Sequence, residues 1–391
     1  MRQGGKQFVI HGQDSGATAG AAPRIASLLI KPVSAVCNLD CAYCFYLDRE
    51  ADPCRALPAR RMTLETLERL VDTYLFYSYP ASTFAFQGGE PTLAGLPFFE
   101  KLIDFQKRYG RGQSVSNALQ TNGVLLDDEW CGLLREYNWL VGVSLDGPEE
   151  INDLHRYNKD GHGTWKNVIR GVEALQKHKV EFNILCVVSR ANVEKPRELY
   201  GFFRGLGVDN MQFIPLADFG SSGEPLPYTI AAEQYGRFLV DLFQAWWPDR
   251  RKIRIRFFDN LAEAVAGQKP STCTMHQTCD SYVVVEYNGD VFPCDFFVER
   301  EWKLGNITID SWPEIARRTR RLQFASKKAM ANPECMACEY QSICHGGCPK
   351  LRHGPRRRFE DLDYFCAAYK MIYAKAVGPL RKDQSGGICP R

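Results

Sequence analysis

From about residue 26 to 215 the chain alternates short apolar, β-branched or aromatic runs with longer stretches of helical period. The runs are SLLIKPV (27–33), STFAFQ (82–87), SVSNALQ (114–120), WLVGVSLD (139–146), EFNILCVV (181–188) and DNMQFIP (209–215). Amphipathic segments separate them. In TLETLERLVDTYLFY, Leu64, Leu67, Leu70 and Val71 fall on one face and Thr63 is placed to cap the N-terminus. Six strand–helix units in succession predict an α/β fold with a parallel sheet wound in one sense, either an open layer or a full or partial (β/α) barrel. In both, working residues gather where strands end and loops begin. Here three cysteines follow the first run, QGGEP ends the second, QTNG the third and SLDG the fourth, while Gln212 lies within the sixth.

The pattern changes after a helical stretch at 231–247 and DNLAEAVAG at 259–267. Residues 273–366 hold eight cysteines, short strands such as YVVVEYNGDVFP and many turn residues, with little continuous periodicity. Bound metal, more than an apolar core, is expected to hold such a segment together. The chain therefore reads as a flexible leader (1–24), a barrel unit (25–268), a cysteine-rich unit (269–375) and a tail (376–391).

No run approaches the roughly 18 apolar residues of a membrane span, and the leader lacks the apolar core of a signal peptide. A cytoplasmic protein without membrane association is expected. Lys plus Arg number 49 against 46 Asp plus Glu, a net charge of +3, so no polyanion is implied. The basic runs RRTRR (317–321) and KLRHGPRRR (350–358) read as solvated faces and not nucleic-acid contacts, because aromatics are sparse among them. Fifteen cysteines without a secretory signal point to metal binding or redox chemistry.

The first cysteine group is Cys37-x3-Cys41-x2-Cys44, followed by an aromatic. Three thiolates on one tight loop can ligate three irons of a [4Fe–4S] cubane and leave the fourth open to a substrate or cofactor. Zinc, or three unrelated thiols, is the alternative. In QGGEP, glycines let backbone approach a ligand closely. The second group is Cys273, Cys279, Cys294, Cys335-x2-Cys338-x5-Cys344-x3-Cys348 and Cys366. Eight thiolates divide into two fully ligated iron–sulfur clusters, or into zinc ribbons. Cys54, Cys131, Cys186 and Cys389 remain as ordinary thiols.

The Cys37–Cys44 spacing resembles that of the radical S-adenosylmethionine enzymes, whose open iron takes the amino and carboxylate groups of S-adenosylmethionine. That resemblance implies a partial (β/α)6 TIM-like barrel. Gly88, Gly89 and Glu90 match the family segment that holds the methionine amino group. Ser144 and Arg156 match positions that contact its carboxylate, with a surface ion pair as the alternative for Arg156. The C-terminal array resembles the SPASM domain, which carries two auxiliary clusters. Its crossed ligation would give Cys273, Cys279, Cys294 and Cys348 one cluster and Cys335, Cys338, Cys344 and Cys366 the other.

Within the SPASM group the chain resembles the anaerobic sulfatase-maturating enzymes, from SLLIKPVSAVCNLDCAYCFY through FAFQGGEPTLAG, LQTNG, VEFNILCVV and VFPCDFFV to CHGGCPKLR. This implies three [4Fe–4S] clusters, S-adenosylmethionine, a sulfatase polypeptide as substrate and an electron donor such as flavodoxin or ferredoxin. It implies oxidation of a sulfatase cysteine, or serine, to Cα-formylglycine without oxygen. A 5′-deoxyadenosyl radical would take a hydrogen from Cβ, Asp295 would remove the proton, and Tyr46, Gln87 and Gln120 would line the site. A SPASM maturase forming thioether or carbon–carbon crosslinks shares the cysteine framework and stays open, as does a zinc-binding interaction module.

Overall fold

The computed structural model describes residues 24–46, 60–329 and 332–385. The leader up to residue 23, Cys54 and Cys389 lie outside the described residues. Each of the six apolar runs forms a strand: β1 (Ser27–Lys31), β2 (Ala81–Phe86), β3 (Ser114–Thr121), β4 (Leu140–Ser144), β5 (Glu181–Val188) and β6 (Asn210–Pro215). Each pairs in parallel with the next, as strand–helix–strand crossovers require. The helix Leu64–Ser78 starts at Thr63, whose hydroxyl accepts the Thr66 N–H at 3.2 Å. Its Leu67, Leu70 and Val71 are fully buried, whereas Leu64, in the first turn, is exposed to solvent.

The sheet continues beyond the six strands. β7 (Arg254–Ile255) adds to β6, and β8 (Val283–Glu286) pairs in parallel with β1. Antiparallel β9 (Asp290–Phe292) and β10 (Gly305–Asn306) complete a sheet in the order β10-β9-β8-β1-β2-β3-β4-β5-β6-β7. The cysteine-rich segment is thus hydrogen-bonded to the edge of the barrel. The expectation that metal, more than an apolar core, holds it together meets a sizeable core here: Val283, Val284, Val285, Val291 and Phe292 are fully buried in the same apolar core as Phe84. Trp312 packs edge-on against Tyr74, and its indole N–H donates to Thr73. β8 and β9 are too short to show a period, yet every residue of both is buried.

The expected boundary at 375/376 also shifts. One helix runs from Cys366 to Ser385, with Ile372, Ala376 and Leu380 buried. It is anchored beyond Pro379 by an Arg250–Asp383 ion pair at 2.6 Å. Residues 376–385 therefore belong to the packed unit and are not a tail. The basic runs are not wholly solvated either. Arg321 and Arg352 are buried, and their guanidinium groups brace loop carbonyls, those of Ala316 and Asp280 for Arg321 and those of Gly346, Lys328 and His345 for Arg352. Among the described residues, no helix is long and apolar enough to cross a membrane.

Candidate active site

Parallel strands bring the loops after β1, β2, β3 and β4 to one rim, and the three cysteines of the first loop lie there. That loop is stitched down on both sides. Gly89 and Glu90 donate backbone N–H groups to the Ser34 and Val36 carbonyls at 2.7 and 2.8 Å. Asp40 and Ala42 donate to the carbonyls of Tyr157 and His155, both at 2.9 Å. The glycines of QGGEP serve this seam. A Cβ on Gly88, whose φ is +126°, would stand 2.6 Å from the Ser34 carbonyl oxygen, and one on Gly89 would stand 2.1 Å from that of Val36. The close approach they permit is to the cysteine loop itself.

Glu90 is held in the same seam. Its buried carboxylate accepts from Thr92 N–H and Oγ1 at 3.0 and 2.7 Å, from Thr121 Oγ1 at 2.8 Å and from Asn122 N–H at 2.7 Å. Burial raises its pKa against the pull of those donors. With both oxygens engaged by protein, the Glu90 side chain braces the β2 and β3 loops. Asn122 passes the brace on, donating to Asn38 at 2.8 Å and lying 3.7 Å from Cys37 Sγ.

Arg156 is buried, which rules out a surface ion pair. Its Nη1 donates to the Tyr43 hydroxyl at 3.2 Å, and Tyr43 in turn donates to Asp146. Asp146 also accepts the Val187 N–H at 2.9 Å. The Arg156 Nε has no hydrogen-bond partner among the described residues. A buried guanidinium N–H left open beside the cysteine loop suits a carboxylate ligand. Ser144 Oγ accepts from Gln120 Nε2 at 3.1 Å. Gly142 makes room for that amide, since a Cβ there would stand 2.1 Å from Gln120 Oε1. Gln120 thus joins Ser144 in the site.

Asp295 lies in a short 3-10 turn directly after Cys294 and is buried. Its Oδ2 accepts from the Tyr46 hydroxyl and from Gln87 Nε2 at 3.4 Å. The structure thus brings Asp295, Tyr46 and Gln87 together, although they lie far apart in the chain. Phe45 and Phe296 stack beside them with ring centroids 5.0 Å apart.

The remaining cysteines form two groups. Burial raises the Cys294 thiol strongly and pushes Cys279 up to about 12 and Cys348 to about 11. Mutual repulsion with Cys273 adds to each. Cys335, Cys338, Cys344 and Cys366 line a single cavity of about 450 Å³, its mouth included, with Asp363 and Tyr373. In the first loop burial pushes Cys37 up to about 11, and Cys41 and Cys44 add repulsion. Such crowded, raised thiols ionise together only if a cation supplies the charge, so the donor sets fit bound iron. Among the described residues no three His, Cys, Asp or Glu side chains close on a single ion. A cubane asks for less convergence, because each thiolate binds its own iron. Cys131 and Cys186 are buried, and the Cys186 thiol lies 3.6 Å from the Asp146 carbonyl oxygen.

Comparison with known proteins matches residues 32–203 to the radical SAM superfamily and 273–339 to SPASM, an iron–sulfur cluster-binding domain. A serine-type anaerobic sulfatase-maturating enzyme of Bacteroides thetaiotaomicron is 38% identical over 371 residues, spanning 90% of this chain and 89% of that one. The chain belongs to the anaerobic sulfatase-maturating enzymes. A cysteine-type member from Clostridium perfringens is also 38% identical, over 90% of this chain and 96% of its own. Among solved structures, native anSMEcpe with bound AdoMet and the Cp18Cys peptide aligns with a TM-score of 0.86 at 37% identity, covering 92% of this chain and 99% of that one. Streptococcus suis SuiB, 17% identical at a TM-score of 0.63 over 88% of this chain and 77% of its own, shares the fold alone.

Sequence reading missed several members of this sulfatase-maturating site. Tyr43 and Asp146 form its buried support, and SLDG at a strand end was the available signal for Asp146. Lys31 was hidden inside an apolar run.

Proposed function

We propose that this enzyme converts a cysteine or serine side chain of a sulfatase polypeptide to Cα-formylglycine without oxygen, using three [4Fe–4S] clusters and S-adenosylmethionine. Cys37, Cys41 and Cys44 would hold the cluster that binds S-adenosylmethionine. Cys273, Cys279, Cys294 and Cys348 would hold one auxiliary cluster, and Cys335, Cys338, Cys344 and Cys366 the other. When bound, these groups supply the hydrogen-abstracting radical and an electron acceptor. Arg156 Nε and Ser144 Oγ orient the methionine carboxylate. The target carbon reaches the carbonyl level by losing one hydrogen atom, one proton and one electron. Asp295 takes that proton from the target thiol or hydroxyl, while Tyr46 and Gln87 hold its Oδ2 in place. A cysteine-derived thioaldehyde then hydrolyses to the aldehyde.

The observation that carries this reading is the meeting of Asp295 with Tyr46 and Gln87, one residue from a cluster cysteine. The 38% identity to both a serine-type and a cysteine-type relative supports either target residue. The test is anaerobic incubation with S-adenosylmethionine, dithionite and separate Cys- and Ser-containing sulfatase-motif peptides, followed by mass spectrometry and aldehyde labelling. Formylglycine from at least one peptide is expected. A crosslinked product without aldehyde from both would replace this reading with a crosslinking maturase.

A further inference from the structure

The residues of the expected chemistry come from two parts of the chain. Tyr46 and Gln87 follow β1 and β2 of the barrel, whereas Asp295 follows the β8–β9 hairpin of the cluster-binding segment. The two parts meet along the β1–β8 pairing, whose last register pair is Lys31 with Glu286. Both side chains have no solvent exposure. Lys31 Nζ lies 2.5 Å from Glu286 Oε1, 3.5 Å from Asp295 Oδ1 and 4.9 Å from the centre of the Tyr46 ring. Its stem lies against the QGG loop, where a Cβ on Gly88 would come within 3.3 Å of Lys31 Cγ.

We propose that Lys31 is a positioning residue for Asp295, drawing the carboxylate borne by the cluster-binding segment into register with the barrel. Tyr46 and Gln87 engage Oδ2, and Lys31 faces Oδ1, so barrel residues meet both oxygens. Stability alone is a weak account of the arrangement. Two charges taken out of water cost desolvation that their attraction often fails to exceed, and an apolar pair in their place is often neutral or better. A fully buried lysine at a strand end, touching three functional or supporting groups on two parts of the fold, is accounted for by placement.

The inference rests on Asp295 as the proton acceptor, and the test separates the two ideas. Lys31→Met leaves Glu286 buried without its counter-charge and is expected to lose stability. Lys31→Met/Glu286→Gln removes both charges and restores stability without restoring the contact to Asp295. In the double variant, iron content, melting temperature and motif-peptide Kd are expected to match wild type. Formylglycine formed per 5′-deoxyadenosine should fall about 10²-fold, the scale of a group misplaced by about 1 Å, with peptide KM unchanged. A wild-type product ratio in the double variant would overturn the proposal, because Lys31 would then only balance Glu286. Failure of the double variant to fold would overturn it too, by assigning Lys31 to stability. Asp295→Asn, assayed beside it, addresses the underlying reading: wild-type product from that variant would remove Asp295 as the base whatever Lys31 does.

Discussion

Glu90→Gln tests the inference that a carboxylate inside QGGEP is a brace. Gln keeps one carbonyl oxygen, which can stay with Thr92 N–H, Thr92 Oγ1 and Thr121 Oγ1. Its amide NH2 then faces the Asn122 N–H, a donor that now bonds Glu90 at 2.7 Å. One charge-assisted bond is lost, at about 1.5–3 kcal/mol, and a buried N–H is stranded at about 1–3 kcal/mol. Burial raises the Glu90 pKa, so removing the charge returns part of that loss. The net is about 2 kcal/mol, or roughly 2 °C in melting temperature for a chain of 391 residues. Because Asn122 lies against Asn38 and Cys37, the loosening should reach the first cluster loop. Differential scanning calorimetry and iron analysis after anaerobic reconstitution provide the readouts. An unchanged melting temperature with full iron would refute the brace, and weakened S-adenosylmethionine binding at full stability would restore the contact role first expected for Glu90.

Three further outcomes are expected. Asp295→Asn should retain its iron and still form 5′-deoxyadenosine, while formylglycine falls by roughly 10²–10⁴-fold as for loss of a general base; wild-type turnover would instead favour a capping role. Cys344→Ala opens one of four thiols around the 450 Å³ cavity and should remove about four of about twelve irons, measured by colorimetric assay, with lower soluble yield. Burial pushes the Asp259 carboxyl up to about 6, with Arg254 opposing. A raised folded pKa gives stability that is present below the unfolded value near ~4 and lost as pH rises through about 6. The full shift corresponds to about 3 kcal/mol, reduced to about 1 because the side chain is 24% exposed. Asp259→Asn should therefore raise stability at pH 7.5 and leave it unchanged near pH 4 in urea melts, and an equal gain at both would contradict this.

What the sequence made legible follows the range of the forces involved. The six inner strands of the barrel were readable because each is an uninterrupted apolar run between amphipathic helices, a signal complete within one window. The first cysteine group was readable because a cluster imposes close spacing on one loop, and the second because eight cysteines crowd one segment of poor periodicity. The β1–β8 seam was not, because a pairing between residues 28–31 and 283–286 leaves no local period, and β7 has two residues. Lys31 and Glu90 were hidden for a related reason. A charge in an apolar run or beside two glycines looks like an end of structure until its partners are known, and those partners lie on other strands. The glycines of QGGEP show the same limit in reverse. Their spacing announced a close approach, but whether ligand or backbone fills the space is decided by the Ser34 and Val36 carbonyls. Chemistry was thus legible wherever one segment carries a whole donor set, and illegible wherever the fold assembles it from single residues. In the Asp295, Tyr46, Gln87 and Lys31 group the first three were reached only through the family resemblance, and Lys31, on a strand whose sequence reads as core, was not reached at all.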